Sequence, residues 1–106
     1  MRAMQLTALN EPLSLQEVDK PTPGKGDVLV EVETCGLNFG DLLIIKGTYQ
    51  EKPPLPYTLG MELAGTVREV GEGVSHLKPG QRIAAFTGFG GWASLRPFLR
   101  LSVPLF

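Results

Sequence analysis

Two short stretches of the sequence carry the side chains that could do chemistry. Cys35, Asn38 and Asp41 supply a thiol, a carboxamide and a carboxylate, and Glu62 adds a second carboxylate among apolar residues. No cationic residue lies near Cys35 to lower the pKa of its thiol, so we expect a buried, unreactive cysteine. Asn38 is a favourable N-cap residue, and Asp41 suits the first turn of the same helix. Glu62 is expected to be half-buried and hydrogen-bonded.

Two further features are interpreted as turns. The stretch with Gly88, Gly90 and Gly91 lacks the third spaced glycine and the following helix of a nucleotide-binding loop, so a β-turn is expected. His76 lies in another turn and is expected to be solvated.

The composition describes one globular domain. The chain has 106 residues, 42% hydrophobic and 20% charged, which allows a single core. The formal net charge of -1 provides no positive field for nucleic acid or an anionic membrane. One cysteine cannot form an internal disulfide, residues 42–45 are an aliphatic cluster far too short to span a membrane, and no signal peptide is recognisable. We therefore expect a cytoplasmic protein.

Short strands dominate the expected secondary structure. Alternating apolar and polar residues, bounded by glycine and proline turns, predict strands over residues 2–8, 13–18, 28–35, 59–70 and 81–86. Gly60 and Gly65 indicate a bulge or a close backbone approach in the fourth of these. One short helix is predicted between Asn38 and Gly47, and the proline-rich residues 52–57 must be extended. This pattern favours a mainly β fold, as a small barrel or a sandwich.

Three segments in this order resemble the medium-chain dehydrogenase/reductase superfamily. Residues 31–41 are similar to its V-x-x-x-G-[VIL]-N-x-x-D motif, residues 53–67 to its P-x-x-x-G-x-E-x-x-G-x-V motif, and residues 70–83 to its V-G-x-G-V and G-D-R-V segment. The nearest resemblance is to the quinone oxidoreductase, or zeta-crystallin-like, branch. It implies that residues 1–93 form a GroES-like domain, a partly open β-barrel with one or two short helices.

The resemblance also bears on zinc. In the zinc-dependent relatives, a cysteine ligand occupies the position of Asn38 and a histidine ligand that of Met61. A carboxamide and a thioether are not zinc ligands, so we expect no metal. Met61 would then be ordinary core filling.

Without a metal, the carbonyl of a quinone or enone would be polarised by neutral hydrogen-bond donors. The resemblance places Asn38 and Tyr49 at the substrate cleft as these donors, with NADPH as the source of hydride. Phe39, Tyr57 and Trp92 are aromatic candidates for lining the pocket of a planar substrate. Simpler interpretations remain open, since Asn38 can serve as an N-cap and the Tyr49 ring can simply pack on the barrel.

The sequence departs from the family pattern in residues 94–106. Their apolar residues follow neither a helical nor a strand period, and Pro97 and Pro104 interrupt them. We interpret this tail as the result of truncation or a reading-frame shift, which would leave the barrel incomplete and an edge or apolar surface uncovered.

No stretch of the sequence matches the glycine-rich βαβ unit that holds a dinucleotide, so no cofactor-binding residue is assigned. Two hypotheses follow. In the first, the chain is the substrate-side domain of a quinone or enone reductase and binds NADPH weakly on its own. In the second, it is a non-enzymatic GroES-like module that self-associates, for example as a homo-oligomer.

Overall fold

Most of the chain forms β-strands around one helix. The computed structural model describes residues 1–99 and 102–104, and side chains through residue 94. In this part of the chain, the elements in order are β1 (Arg2–Leu6), β2 (Ser14–Glu17), β3 (Asp27–Cys35), α1 (Phe39–Lys46), β4 (Tyr57–Thr58), β5 (Glu62–Val70), β6 (Arg82–Phe86), β7 (Leu95–Leu99) and β8 (Ser102–Pro104). The predicted mainly β class is confirmed, and each predicted strand and the helix are present, with bounds within about three residues of the predicted ones.

The strands form two antiparallel sheets. The first has the order β2-β1-β4, and the second has the order β7-β3-β5-β6-β8. Residues 92–94 join them: the Met4 N–H donates to the carbonyl of Trp92 (2.8 Å), while the Ser94 carbonyl accepts from Val32 (2.9 Å). The two sheets do not close into a complete barrel within the described residues, which agrees with the partly open barrel that was predicted.

Two apolar clusters hold these layers together. The first lies on the five-stranded sheet, where Val28 and Val30 point inward from β3 and Val32 packs at the border, as the strand alternation predicts. The second joins α1 to the three-stranded sheet and consists of Leu6, Ile44, Leu59 and Met61. In residues 1–99 and 102–104, no helix is long and apolar enough to cross a membrane.

The tail contains strands that the sequence pattern did not predict. β7 pairs with β3 and β8 pairs with β6, so each forms one edge of the five-stranded sheet. Proline lacks an N–H and interrupts a strand pattern, but an edge strand has one side on which no donor is needed. Pro97 and Pro104 are therefore compatible with these two strands. The described part of the tail therefore forms strands although its sequence shows no strand period.

At Gly65, strand β5 approaches the backbone of β3 closely. A β-carbon built at Gly65 would overlap the carbonyl oxygen of Glu31, and the β3–β5 register shifts between Val32 and Thr34. The predicted close approach and irregular pairing at this glycine are thus confirmed. Since the contact is with backbone, no side-chain rotation can relieve it.

Replacement of Gly65 by alanine tests this contact. We expect Gly65→Ala to lower the free energy of unfolding by about 2 kcal/mol, because the extra methyl forces β3 and β5 apart. Urea unfolding followed by the fluorescence of Trp92 would measure the change. Gly24→Ala is the matched control, since its nearest neighbour is the Asp27 carboxylate oxygen at 3.1 Å, a side-chain atom that can move. Equal unfolding midpoints for the two variants would contradict the predicted clash.

Candidate functional site

Helix α1 begins where the sequence predicts. Asn38 is the N-cap residue, with an extended backbone (φ -117, ψ 157), and Asp41 lies in the first turn. The Asp41 side chain supplies the half of a capping box that bonds back to the N-cap backbone. The Asp41 Oδ2 accepts from the Asn38 N–H at 2.9 Å, and the Asp41 N–H donates to the Asn38 carbonyl at 3.0 Å. The interpretation of Asp41 as a helix-start residue is confirmed.

Asp41 also bonds to a second segment of the chain. Its side chain is 0% exposed, and its Oδ1 accepts from the Gly60 N–H at 3.2 Å. The two carboxylate oxygens therefore tie the start of α1 to the connection between β4 and β5. Sequence reasoning missed this second bond, because the pattern around Asp41 describes the helix alone.

The side chain of Asn38 makes no cap hydrogen bond. Its Nδ2 is buried and has no hydrogen-bond partner among the described residues. A buried donor without an acceptor costs about 1–3 kcal/mol, and an acceptor that reached it would remove that cost. The carboxamide is thus available for a hydrogen bond that the helix does not use.

Met61 and Tyr49 pack against the same end of α1. A β-carbon at Gly40 would overlap the Met61 Cε and would lie 3.3 Å from the Tyr49 Cε1, so the absence of a side chain lets both residues approach the helix. Met61 is 8% exposed and belongs to the second apolar cluster, as expected for core filling. Residues 38–41 and 60–61 are consequently neighbours in space.

The three aromatic candidates are spread over the domain. Phe39 is 72% exposed at the start of α1. Tyr57 stacks on Phe89, with ring centroids 6.0 Å apart, in a cavity of about 600 Å³ whose lining does not include Asn38 or Tyr49. The Trp92 Nε1 donates to the Gly36 carbonyl at 3.0 Å, and the ring packs against the second cluster.

A groove of about 530 Å³ lies at the ends of β3, β5 and β6 and was not expected. Its lining includes Cys35, Glu62 and Phe86. Cys35 and Glu62 are exposed, not buried or half-buried as predicted, because both lie at the open end of the sheet. Glu62 packs over Gly36. The alternation along β6 could have placed Phe86 outward, since Arg82 on the same side is exposed.

Two segments that were interpreted as turns are located as expected. His76 is exposed, and residues 88–91 form a bent loop without a following helix. In the part of the chain with described side chains, no three His, Cys, Asp or Glu residues lie together so as to hold a metal ion. Although Cys35 is exposed as a residue, partial desolvation of its thiol raises the pKa, and the negative charge of Asp41 raises it further.

The fold and the helix-start site define a GroES-like domain of the oxidoreductase type. Residues 24–96 match the family described as "Alcohol dehydrogenase GroES-like domain", and the chain belongs to this family. The predicted resemblance to the medium-chain dehydrogenase/reductase superfamily and its quinone oxidoreductase branch is confirmed.

Three comparisons show the extent of the similarity. Quinone oxidoreductase-like protein 2 of Mus musculus is 48% identical over 88 residues, which are 83% of this chain and 25% of the mouse protein. The human synaptic vesicle membrane protein VAT-1 homolog-like protein aligns with a TM-score of 0.96 at 30% identity, over 99% of this chain and 35% of its own. Escherichia coli quinone oxidoreductase complexed with NADPH aligns with a TM-score of 0.92 at 31% identity, over 99% and 33%. The chain thus spans about a quarter to a third of these relatives.

The raised pKa of Cys35 predicts slow alkylation of its thiol. Only the thiolate reacts, and partial desolvation of the thiol together with the Asp41 charge disfavours that form. We expect the rate with iodoacetamide, measured against pH, to reach its midpoint at a higher pH in the folded protein than in urea. At about pH 8 the folded thiol should therefore be the slower of the two. A midpoint equal to or below that of the unfolded chain would refute the predicted direction.

Proposed function

We propose that this chain is the substrate-side domain of a zinc-independent, NADPH-dependent quinone or enone oxidoreductase. Two similarities support the reaction class: the mouse relative is named a quinone oxidoreductase-like protein, and the Escherichia coli neighbour is a quinone oxidoreductase complexed with NADPH. The proposed role of this domain is to bind a small planar carbonyl compound and polarise its oxygen.

The Asn38 carboxamide is the observation that carries the proposal. Its Nδ2 is a buried donor without a partner in the described residues, and a quinone or enone oxygen is an acceptor without a proton of its own. Negative charge develops on that oxygen during reduction, and a donor fixed in advance stabilises it. Tyr49 packs beside Gly40 at the same helix start, and we propose its hydroxyl as the second donor.

Zinc independence is supported by the chemistry of residues 38 and 61. A neutral carboxamide and a thioether replace the two side chains that metal-dependent relatives use as ligands, and Zn²⁺ binds thiolate, imidazole and carboxylate. Met61 is moreover occupied as a core residue. The polarising role is therefore assigned to neutral donors.

The described residues do not fit a dinucleotide. A dinucleotide site requires a glycine-rich turn between a parallel strand and a helix, whereas every strand pair described in this structure is antiparallel. NADPH supplies the hydride in the proposed reaction. This chain contributes the substrate-facing hydrogen bonds, and on its own we expect it to be weakly active or inactive.

A second candidate function is a non-enzymatic interaction module that self-associates. Leu37 and Phe39 flank Asn38 and are exposed, and Phe86 is exposed at the nearby end of β6. Such a group of large apolar side chains is compatible with a contact between two copies. This alternative gives no role to an unpartnered carboxamide, so we favour the enzymatic proposal. The proposed compartment is the cytoplasm, since a single cysteine needs no oxidising environment.

Quinone binding tests the role of Asn38. Tetramethyl-1,4-benzoquinone is a suitable probe, because its substituted ring resists addition of the Cys35 thiol. We expect its titration to shift the Asn38 side-chain NH₂ signals in ¹H–¹⁵N spectra. Asn38→Leu should weaken binding about tenfold, which is the loss expected for one hydrogen bond.

The control for this titration is Gln16→Leu, which removes a carboxamide on β2 and should leave quinone affinity unchanged. Sedimentation velocity on the same samples measures self-association. If the quinone does not bind while the protein forms stable oligomers, the interaction module is supported and the enzymatic proposal is wrong. Equal binding by Asn38→Leu and the wild type would remove Asn38 from the site.

NADPH titration tests the expected absence of a cofactor site in this chain. We expect nicotinamide fluorescence to show no saturable binding below about millimolar concentration, since no described βαβ unit is present to hold the pyrophosphate. An intact quinone oxidoreductase serves as the positive control. Saturable micromolar binding would contradict this view of the fold.

A further inference from the structure

Asp41 is a buried charged side chain that the proposed reaction does not use directly. Among residues 1–94, whose side chains the structure describes, it is the one buried polar or charged residue. The geometry points to Asp41 as a positioning residue, which holds the Asn38 carboxamide where it can donate to a substrate carbonyl. The inference rests on the proposed function for its substrate, but the order of the Asn38 side chain can be measured without substrate.

Asp41 holds both backbone groups of Asn38. The Asp41 Oδ2 accepts from the Asn38 N–H at 2.9 Å, and the Asp41 N–H donates to the Asn38 carbonyl at 3.0 Å. Two bonds on either side of one α-carbon restrict the direction of its side chain. These bonds set the direction of the Asn38 Cα–Cβ bond, from which the carboxamide extends, and its Nδ2 has no described partner.

The second oxygen of Asp41 connects this arrangement to the core. Its Oδ1 accepts from the Gly60 N–H at 3.2 Å. The Gly60 carbonyl accepts from Gly91, and the carbonyl of the buried Leu59 accepts from Trp92, each at 2.9 Å. The Asp41 carboxylate thereby attaches Asn38 to residues 59–60, and these are hydrogen-bonded in turn to residues 91–92.

Among side chains of this size, a carboxylate is the one that can accept from both the Asn38 N–H and the Gly60 N–H. Two N–H donors face it, and each needs an acceptor oxygen. Asparagine has one oxygen and one NH₂ group, so Asp41→Asn would set a donor against a donor at one of the two positions. Such a variant keeps the shape of the side chain and removes one of the constraints on residues 38 and 60.

The experiment compares the Asn38 side chain in the wild type and in Asp41→Asn by ¹⁵N relaxation. The wild-type sequence has two asparagines, Asn10 and Asn38, so the Asn38→Leu spectrum assigns their signals. Asp41→Asn adds a third, which the spectrum of the double variant Asp41→Asn, Asn38→Leu identifies. In the wild type, we expect the Asn38 NH₂ to be as ordered as the backbone and the exposed Asn10 NH₂ to be mobile. In Asp41→Asn, the Asn38 NH₂ should become mobile, and quinone affinity should fall about tenfold.

The Gly65→Ala variant distinguishes a loss of Asn38 side-chain order from the effect of a general loss of stability. It disturbs the contact of β5 with β3, away from α1, and should leave the Asn38 signals and quinone affinity unchanged. Trp92 fluorescence verifies that each variant is folded. If Asp41→Asn does not fold, the inference is tested in the wild type by comparing the mobility of the Asn38 and Asn10 side chains. Equal mobility of the two side chains would overturn the inference.

The outcomes distinguish this inference from the proposed function. Unchanged Asn38 signals in folded Asp41→Asn would mean that Asp41 supports the helix alone, and the positioning role would be wrong. If no quinone binds to the wild type but Asn38 loses order in Asp41→Asn, the positioning role stands and the proposed function fails. Loss of order together with weaker quinone binding supports both.

Discussion

The buried carboxylate of Asp41 is the interaction on which the rest of the site depends. It accepts one backbone N–H from the start of α1 and another from the connection between β4 and β5. A buried carboxylate without such donors is strongly unfavourable. The helix start and the connection must therefore meet if Asp41 is to be buried. Folding of the second apolar cluster, which contains Leu59 and Met61, brings these two segments to the same place.

This constraint also explains why a carboxamide can remain without a partner. At many helix starts, the oxygen of the N-cap side chain accepts from the first turn, and this bond holds the side chain against the helix. Here residue 41 bonds to both backbone groups of Asn38, and the Asn38 side chain makes no cap bond. A neutral donor fixed by its backbone is well suited to polarise a carbonyl. The proposed chemistry thus depends on an arrangement whose local purpose is to begin a helix.

Sequence reasoning was most successful where one strand or one turn decides the outcome. The inward face of Val28 and Val30, the helix before Gly47 and the close approach at Gly65 all follow from local patterns. It was wrong for Cys35 and Glu62, which lie exposed at the open end of the sheet. It also predicted no strands in the tail, because prolines at edge positions conceal a strand pattern.

The sequence by itself determined the family, the strand content and the residue types at positions 38 and 61, because each depends on composition or spacing within a short segment. Only the tertiary structure decided that Asp41 reaches Gly60, that Met61 and Tyr49 pack at Gly40, and that Tyr57 lines a cavity to which Asn38 does not contribute. These relations join segments far apart in the chain. They follow from how the two sheets and the helix pack, and no local pattern in the sequence records that packing.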